Sequence, residues 1–148
     1  MVTVAKKRTP LAPWVKSLRE AADAWTLQIV REAMFGTRKF GAFKKHLGIA
    51  SNILTVRLAK LVDAGILTRR GIGLLREYQL TEKGHELAPV LAAFGLWSER
   101  WQSGPREGSF ELVDVRDGSP VQLVPQRADG ADVPLEYVRA RESTRVKG

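Results

Sequence analysis

Ser51, Asn52 and Thr55 lie in a stretch where leucines recur at positions 54, 58 and 61. An asparagine amide can pair bidentately with adenine, and a threonine offers its hydroxyl to a base edge or its methyl to thymine. A helix over residues 50–64 puts Leu54, Leu58 and Leu61 on one face and Ser51, Asn52, Thr55, Val56, Ala59 and Lys60 on the other. The outward face is small and largely polar, which suits entry into a groove about 12 Å wide. Free N–H groups at the helix start favour a phosphate. Taken alone, that face fits an ordinary solvated helix as well. Arg57 borders the leucine stripe and has two open roles, a phosphate contact or an ion pair with a carboxylate of another helix.

Charge favours the first class of partner. The chain has 148 residues, 24 Lys plus Arg against 16 Asp plus Glu, and a formal net charge of +8. Residues 36–76 carry nine bases (Arg38, Lys39, Lys44, Lys45, Arg57, Lys60, Arg69, Arg70, Arg76) and one acid, Asp63, whereas residues 99–148 carry eight bases and nine acids. Positive charge so concentrated fits a polyanion, with a merely soluble basic surface as the alternative on composition alone. Lys39, Lys44 and Lys45 before the helix, and Arg69, Arg70 and Arg76 after it, stand where a duplex backbone would pass on either side.

Enzyme chemistry finds no footing. Cysteine is absent, which removes disulfides, zinc–cysteine sites and thiolate nucleophiles together. His46 and His85 have no ligand-spaced partner, and there is no phosphate-binding glycine loop. Asp114, Asp117, Asp129 and Asp132 read as turn-formers rather than metal ligands. We expect no catalytic residues, no metal and no cofactor. With 44% hydrophobic and 27% charged residues the chain reads as globular. No apolar run approaches the ~18 residues of a membrane span, and no leader is visible, so the cytoplasm is the expected compartment.

The elements that would hold these residues follow from periodicity. Residues 1–11 read as a flexible basic arm. A first helix from Pro13 carries Trp14 and Leu18, and a second, about Asp23 to Phe35, is capped by Asp23 and ended by Gly36. Trp25, Ile29 and Ala33 form its stripe, with Leu27 and Val30 beside it. A short helix, about Lys39 to Leu47, has Phe40, Phe43 and Leu47 as its core face. Only Gly48, Ile49 and Ala50 separate it from the leucine-striped helix, a helix-turn-helix arrangement. Two strand-like runs, 66–70 and 74–80, surround Gly71-Ile72-Gly73 and read as a wing. A helix from Thr81 to about Gln102 carries Leu87, Val90, Leu91, Phe94, Trp97 and Trp101, and Pro89 should kink or restart it. Past Ser103-Gly104-Pro105, runs at 110–116, 121–126 and 135–141, parted by Asp117-Gly118 and Asp129-Gly130, predict a small β-meander and a frayed tail. The predicted organisation is a basic arm (1–11), a winged helix-turn-helix with dimerisation helices (12–102) and a β extension with tail (106–148).

Trp25-Thr26-Leu27, Gly36-Thr37-Arg38-Lys39-Phe40, Leu47-Gly48-Ile49, Leu54, Arg57-Leu58, Leu61, Ala64-Gly65-Ile66-Leu67, Arg69, Glu77-Tyr78, Leu80-Thr81-Glu82-Lys83-Gly84, Leu87, Pro89-Val90-Leu91 and Trp97 occur in this order. Over roughly residues 12–101 the chain thereby resembles the HxlR family of bacterial winged-helix transcription regulators. The resemblance implies a homodimer built largely from the first and last helices, and major-groove reading by the helix at 50–64. Two departures stand out. Many members begin the first helix with Cys-Pro, a redox or electrophile sensor in some, where this chain has Ala12-Pro13. Many carry Pro-Pro-Arg in the wing, where this chain has Gly73-Leu74-Leu75. The segment after Gly104 resembles an extension in which, on some members, paired cysteines could hold zinc; no cysteine remains here.

The expected fold is therefore mostly α with a β wing and a small C-terminal β extension. The expected function is a homodimeric regulator of double-stranded DNA. DNA-binding candidates are Ser51, Asn52, Thr55, Val56, Arg57, Lys60, Lys39, Lys44, Lys45, Arg69, Arg70 and Arg76, and interface candidates are Trp14, Leu18, Leu91, Phe94, Trp97 and Trp101. A protein-interaction module binding an acidic partner is the alternative. Regulation, lacking a thiol, would come from a non-covalent small-molecule effector, from a partner at the β extension, or from abundance.

Overall fold

A computed structural model describes residues 15–17, 19, 23–101 and 111–140. Residues 15–17 and 19 are helical; Trp14 and Leu18 lie outside the described residues. The chain divides into two compact units, Met1–Leu91 and Ala92–Gly148.

In the first unit, α1 (Ala24–Met34) starts where an acidic cap can satisfy its open N–H groups: the Asp23 carboxylate accepts from the N–H of Trp25 at 3.2 Å and of Thr26 at 3.1 Å. Its core face is Thr26, Ile29 and Val30, with Trp25 and Ala33 only half-buried. The apolar stripe expected from sequence was centred one position off, because Thr26 is polar by type. Burial is tolerated there because its hydroxyl donates to Asp23. α2 (Phe40–Leu47) buries Phe43, and α3 (Ser51–Asp63) buries Leu54, Leu58 and Leu61. These join Ile49, Ile66, Leu67 and Tyr78 in one core.

The wing is an antiparallel pair, β1 (Leu67–Arg70) and β2 (Glu77–Leu80), in the register Leu67 opposite Leu80 and Arg70 opposite Glu77. Leu74 and Leu75 are not strand residues as expected; Gly73–Leu75 is a turn of 3-10 helix. With φ of +78°, Gly71 draws the chain back until its Cα faces the Leu75 carbonyl so closely that a Cβ would stand 2.3 Å from that oxygen, and the following residues tighten instead of extending. β2 also pairs on its other side: the Tyr78 N–H donates to the Arg38 carbonyl at 2.8 Å, and Lys39 bridges to Glu77. α4 (Glu82–His85) is a single turn capped by Thr81. Pro89 restarts the helix rather than kinking it, since it falls in the first turn of α5 (Ala88–Trp101), where its missing N–H costs little.

The division between units falls within α5. On the second unit's side, Ala92 is buried while Phe94, Leu96, Trp97 and Trp101 are exposed. Farther on, β3 (Leu112–Val113) and β4 (Pro120–Val121) pair antiparallel around a turn at Asp117-Gly118. A single bridge, Gln126 to Asp132, closes the Asp129-Gly130 turn. The third run expected as a strand is a 3-10 turn, Leu135–Tyr137, entered through Pro134. The fold is thus mostly helical, a winged helix-turn-helix with a hairpin wing and a second, two-stranded sheet.

Candidate nucleic-acid interface

The turn between α2 and α3 depends on Gly48, which ends α2 in the left-handed region (φ 61°) with its N–H on the Lys44 carbonyl. Three residues later α3 begins. Its cap residue, Ala50, has no side-chain hydrogen bond to offer, so the leading N–H groups of α3 are left to an outside acceptor. Along α3, Ser51, Asn52, Ile53, Thr55, Val56, Ala59 and Lys60 are exposed, opposite the three buried leucines. Thr55 donates its hydroxyl to the Ser51 carbonyl at 2.8 Å. That bond leaves the Thr55 oxygen as an acceptor and its methyl free for a thymine.

Two anchors fix α3 in place. Near its middle, Arg57 Nη1 donates to Asp23 Oδ2 at 3.1 Å. Of the two roles open for Arg57, the ion pair between helices is present. Partial burial alone would raise the Asp23 pKa. The Thr26 hydroxyl and N–H, then the Arg57 guanidinium and the Trp25 N–H, outweigh it and hold the carboxyl below its ordinary value. At the C-terminal end, Lys83 Nζ donates to the Ala64 carbonyl at 2.7 Å and Thr81 Oγ1 to the Gly65 carbonyl at 2.6 Å. Helix α3, the wing and α4 are therefore tied to one another at residues 64–66.

Around α3, Lys39, Lys44, Lys45, Lys60, Arg69, Arg70 and Arg76 are all exposed, and none has an ion pair among the described residues. Lys39 and Arg70 come from segments that both pair with β2 at Glu77. Sequence reasoning missed this ladder, as it missed a polar cluster tying α2 to α1. In that cluster Glu32 Oε2 lies 2.9 Å from His46 Nδ1 and accepts the Thr37 hydroxyl at 3.1 Å. The partners of His46 lie nine and fourteen residues away, beyond any local spacing rule. Among the interface candidates, Leu91 is buried in the chain itself, whereas Phe94, Trp97 and Trp101 are exposed. Among the described residues no group of three His, Asp or Glu side chains is placed to hold a metal, and no helix is long and apolar enough to cross a membrane.

A family model described as HxlR-like helix-turn-helix matches residues 21–105. The chain belongs to that family. It is a family of transcriptional regulators, not of enzymes, and the resemblance read from the sequence holds. The chain is 34% identical over 100 residues to the uncharacterized HTH-type transcriptional regulator Rv3095 of Mycobacterium tuberculosis strain H37Rv, a match covering 66% of this chain and 63% of the relative. It is similar to two solved structures of candidate transcription factors. PA1607 is 36% identical with a TM-score of 0.73, covering 89% of this chain and 95% of that one. PA1374 from Pseudomonas aeruginosa is 34% identical with a TM-score of 0.61, covering 92% and 95%. These shares exceed what residues 1–105 alone could supply, so the likeness extends into the segment after Gly104.

Proposed function

We propose that the chain is a DNA-binding transcriptional regulator whose α3 enters the major groove of a duplex. The observation that carries this reading is the division of α3 into a buried leucine face and an exposed face of small and polar side chains, among lysines and arginines that have no ion pair. Ser51, Asn52, Thr55 and Val56 read base edges, and the open N–H groups at the α3 start take a phosphate. Lys39, Lys44, Lys45, Lys60, Arg69, Arg70 and Arg76 follow the two backbones. Arg57 acts mainly through Asp23, holding the angle of α3 to α1. Two copies assemble through Phe94, Trp97 and Trp101 with Trp14 and Leu18. The dimer reads a pseudo-palindrome with half-sites about one helical turn apart. In this reading residues 12–102 form the DNA-binding and dimerisation domain, and residues 106–148 an appended β extension.

The test is a gel shift of the full chain with random duplex, with duplex enriched from a random library, and with polyglutamate as competitor, at two salt concentrations. The reading expects retention of both duplexes at low salt and of the enriched duplex alone at moderate salt. Retention of polyglutamate with equal or greater avidity, and no enriched sequence, would favour an acidic protein partner.

A further inference from the structure

The tip of the wing carries apolar surface that the reading above leaves unused. Leu74 is 99% exposed, Ile72 87% and Leu75 77%. A single exposed leucine is ordinary, but three neighbouring apolar residues on a hairpin tip form a patch that calls for an occupant. The tip is held in shape: the Leu75 N–H donates to the Ile72 carbonyl at 3.1 Å, the Arg76 N–H to the Gly73 carbonyl at 3.2 Å, and the close approach at Gly71 forbids a side chain there. The backbone thus closes on itself and leaves the apolar side chains outside.

Charge identifies the occupant. Arg69 and Arg70 end the strand before these residues and Arg76 follows them directly, just ahead of β2, all exposed and without an ion pair among the described residues. An apolar centre between guanidinium groups matches a minor groove, about 6 Å wide, where two phosphate ridges flank the edges of the base pairs. The hairpin departs from the C-terminal end of α3 through Gly65 and Ile66, so it stands directly beside the helix that the DNA-binding reading places in a groove. Side chains such as Leu and Ile can part a base step from the minor-groove side and bend the duplex.

We propose that Leu74, with Ile72 and Leu75 beside it, is a minor-groove wedge that opens a base step and bends the bound duplex, while Arg69, Arg70 and Arg76 grip the flanking phosphates. The proposal rests on the DNA-binding reading and adds a second source of specificity. Pyrimidine–purine steps unstack most easily, so the wedge selects such a step outside the bases that α3 reads.

The experiment uses the full chain and duplex enriched from a random library, with a fluorophore pair at the duplex ends and 2-aminopurine at the step enriched beside each α3 half-site. Binding should shorten the end-to-end distance by an amount matching a bend of roughly 20–90° and should raise 2-aminopurine fluorescence. Leu74→Ser should abolish both signals and weaken binding roughly tenfold with an unchanged salt slope. Leu74→Met should keep both signals. Arg69→Ala should lower the salt slope by about one and keep the 2-aminopurine signal. Because Leu74 is fully exposed, the thermal unfolding midpoint of Leu74→Ser should match the parent. An enriched duplex that stays straight and stacked, or a Leu74→Ser chain that bends it like the parent, overturns the wedge and leaves the DNA-binding reading intact. The same follows if Leu74→Ser keeps the bend but dissociates the dimer or loses adsorption to phosphatidylserine vesicles. A chain that enriches no duplex overturns both.

Discussion

Between residues 23 and 91, Ile29, Val30, Phe43, Leu54, Leu58, Leu61 and Leu67 lose nearly all contact with water, and an ion pair joins Asp23 to Arg57, 34 positions apart. Between residues 111 and 140 no residue is buried, and among the described residues their side-chain hydrogen bonds reach at most six positions along the chain, from Gln126 to Asp132. There Asp114 accepts from the Arg116 N–H and guanidinium, Asp117 from the Ser119 N–H, and Asp129 from the Ala131 N–H. The first region is specified by apolar side chains meeting across distant segments, which fixes the angle of α3 to the helices around it. The second is specified by turn chemistry, which shapes a loop without fixing it to a core. A reading element needs the former; an appended surface can be built from the latter.

The largest effect expected from that contrast is on stability. Leu58→Ala should cost about 2–5 kcal/mol in denaturant unfolding, whereas Val121→Ala on exposed β4 should stay within about 0.5 kcal/mol. Equal costs would mean that the second region has a core of its own.

The contrast also explains what was legible in the sequence. Helices α1 to α3 were readable because leucines, phenylalanines and isoleucines repeat at helical spacing and Asp23, Gly36, Gly48 and Gly65 mark their ends. The face of α3 followed directly, since burial of Leu54, Leu58 and Leu61 leaves one outward side. Thr26 was missed because burial of a polar residue depends on a hydrogen bond that hydrophobic periodicity cannot express. In the second region the Asp-Gly turns were readable, but strand length was not. With no buried face, alternation of residue type carries little register information, and Leu135–Tyr137 became a turn after Pro134. The wing tip failed for a similar reason: Leu74 and Leu75 look like strand residues by type, yet both are exposed.

A smaller loss is expected at the anchor of α3. Asp23→Ala removes the α1 cap and strands a half-buried guanidinium, at a cost of about 0.5–2 kcal/mol. The pH dependence has a defined sign. The folded-state pKa of Asp23 is lowered, so its stabilisation is present above the ordinary carboxylate value near 3.8 and is lost as pH falls through the lowered one. Unfolding curves of parent and Asp23→Asn should therefore converge in acid. A gap that persists at low pH would place the anchoring energy elsewhere.

Smaller again is the effect of one surface cation. Lys44→Ala should weaken random and enriched duplex alike and lower the salt slope by about one. If Lys44→Ala changes only the enriched duplex, Lys44 reads bases rather than phosphates. The smallest effect expected is none. The chain holds no cysteine, and the thiolate is the nucleophile through which diamide acts. Duplex binding should be unchanged by diamide doses that act on thiols, with mass spectrometry verifying an unmodified chain. Loss of binding by an unmodified chain would contradict this.

The most direct test of α3 as the reading element is the ratio of affinities for enriched and random duplex, measured for the parent and for Asn52→Ala at one salt concentration. Asn52 is exposed in the first turn of α3 and supports no core contact. The account predicts a loss of about 1–3 kcal/mol on the enriched duplex and little change on random duplex, so that the ratio collapses. An unchanged ratio, whether through equal losses or none, would contradict the placement of α3 in the major groove.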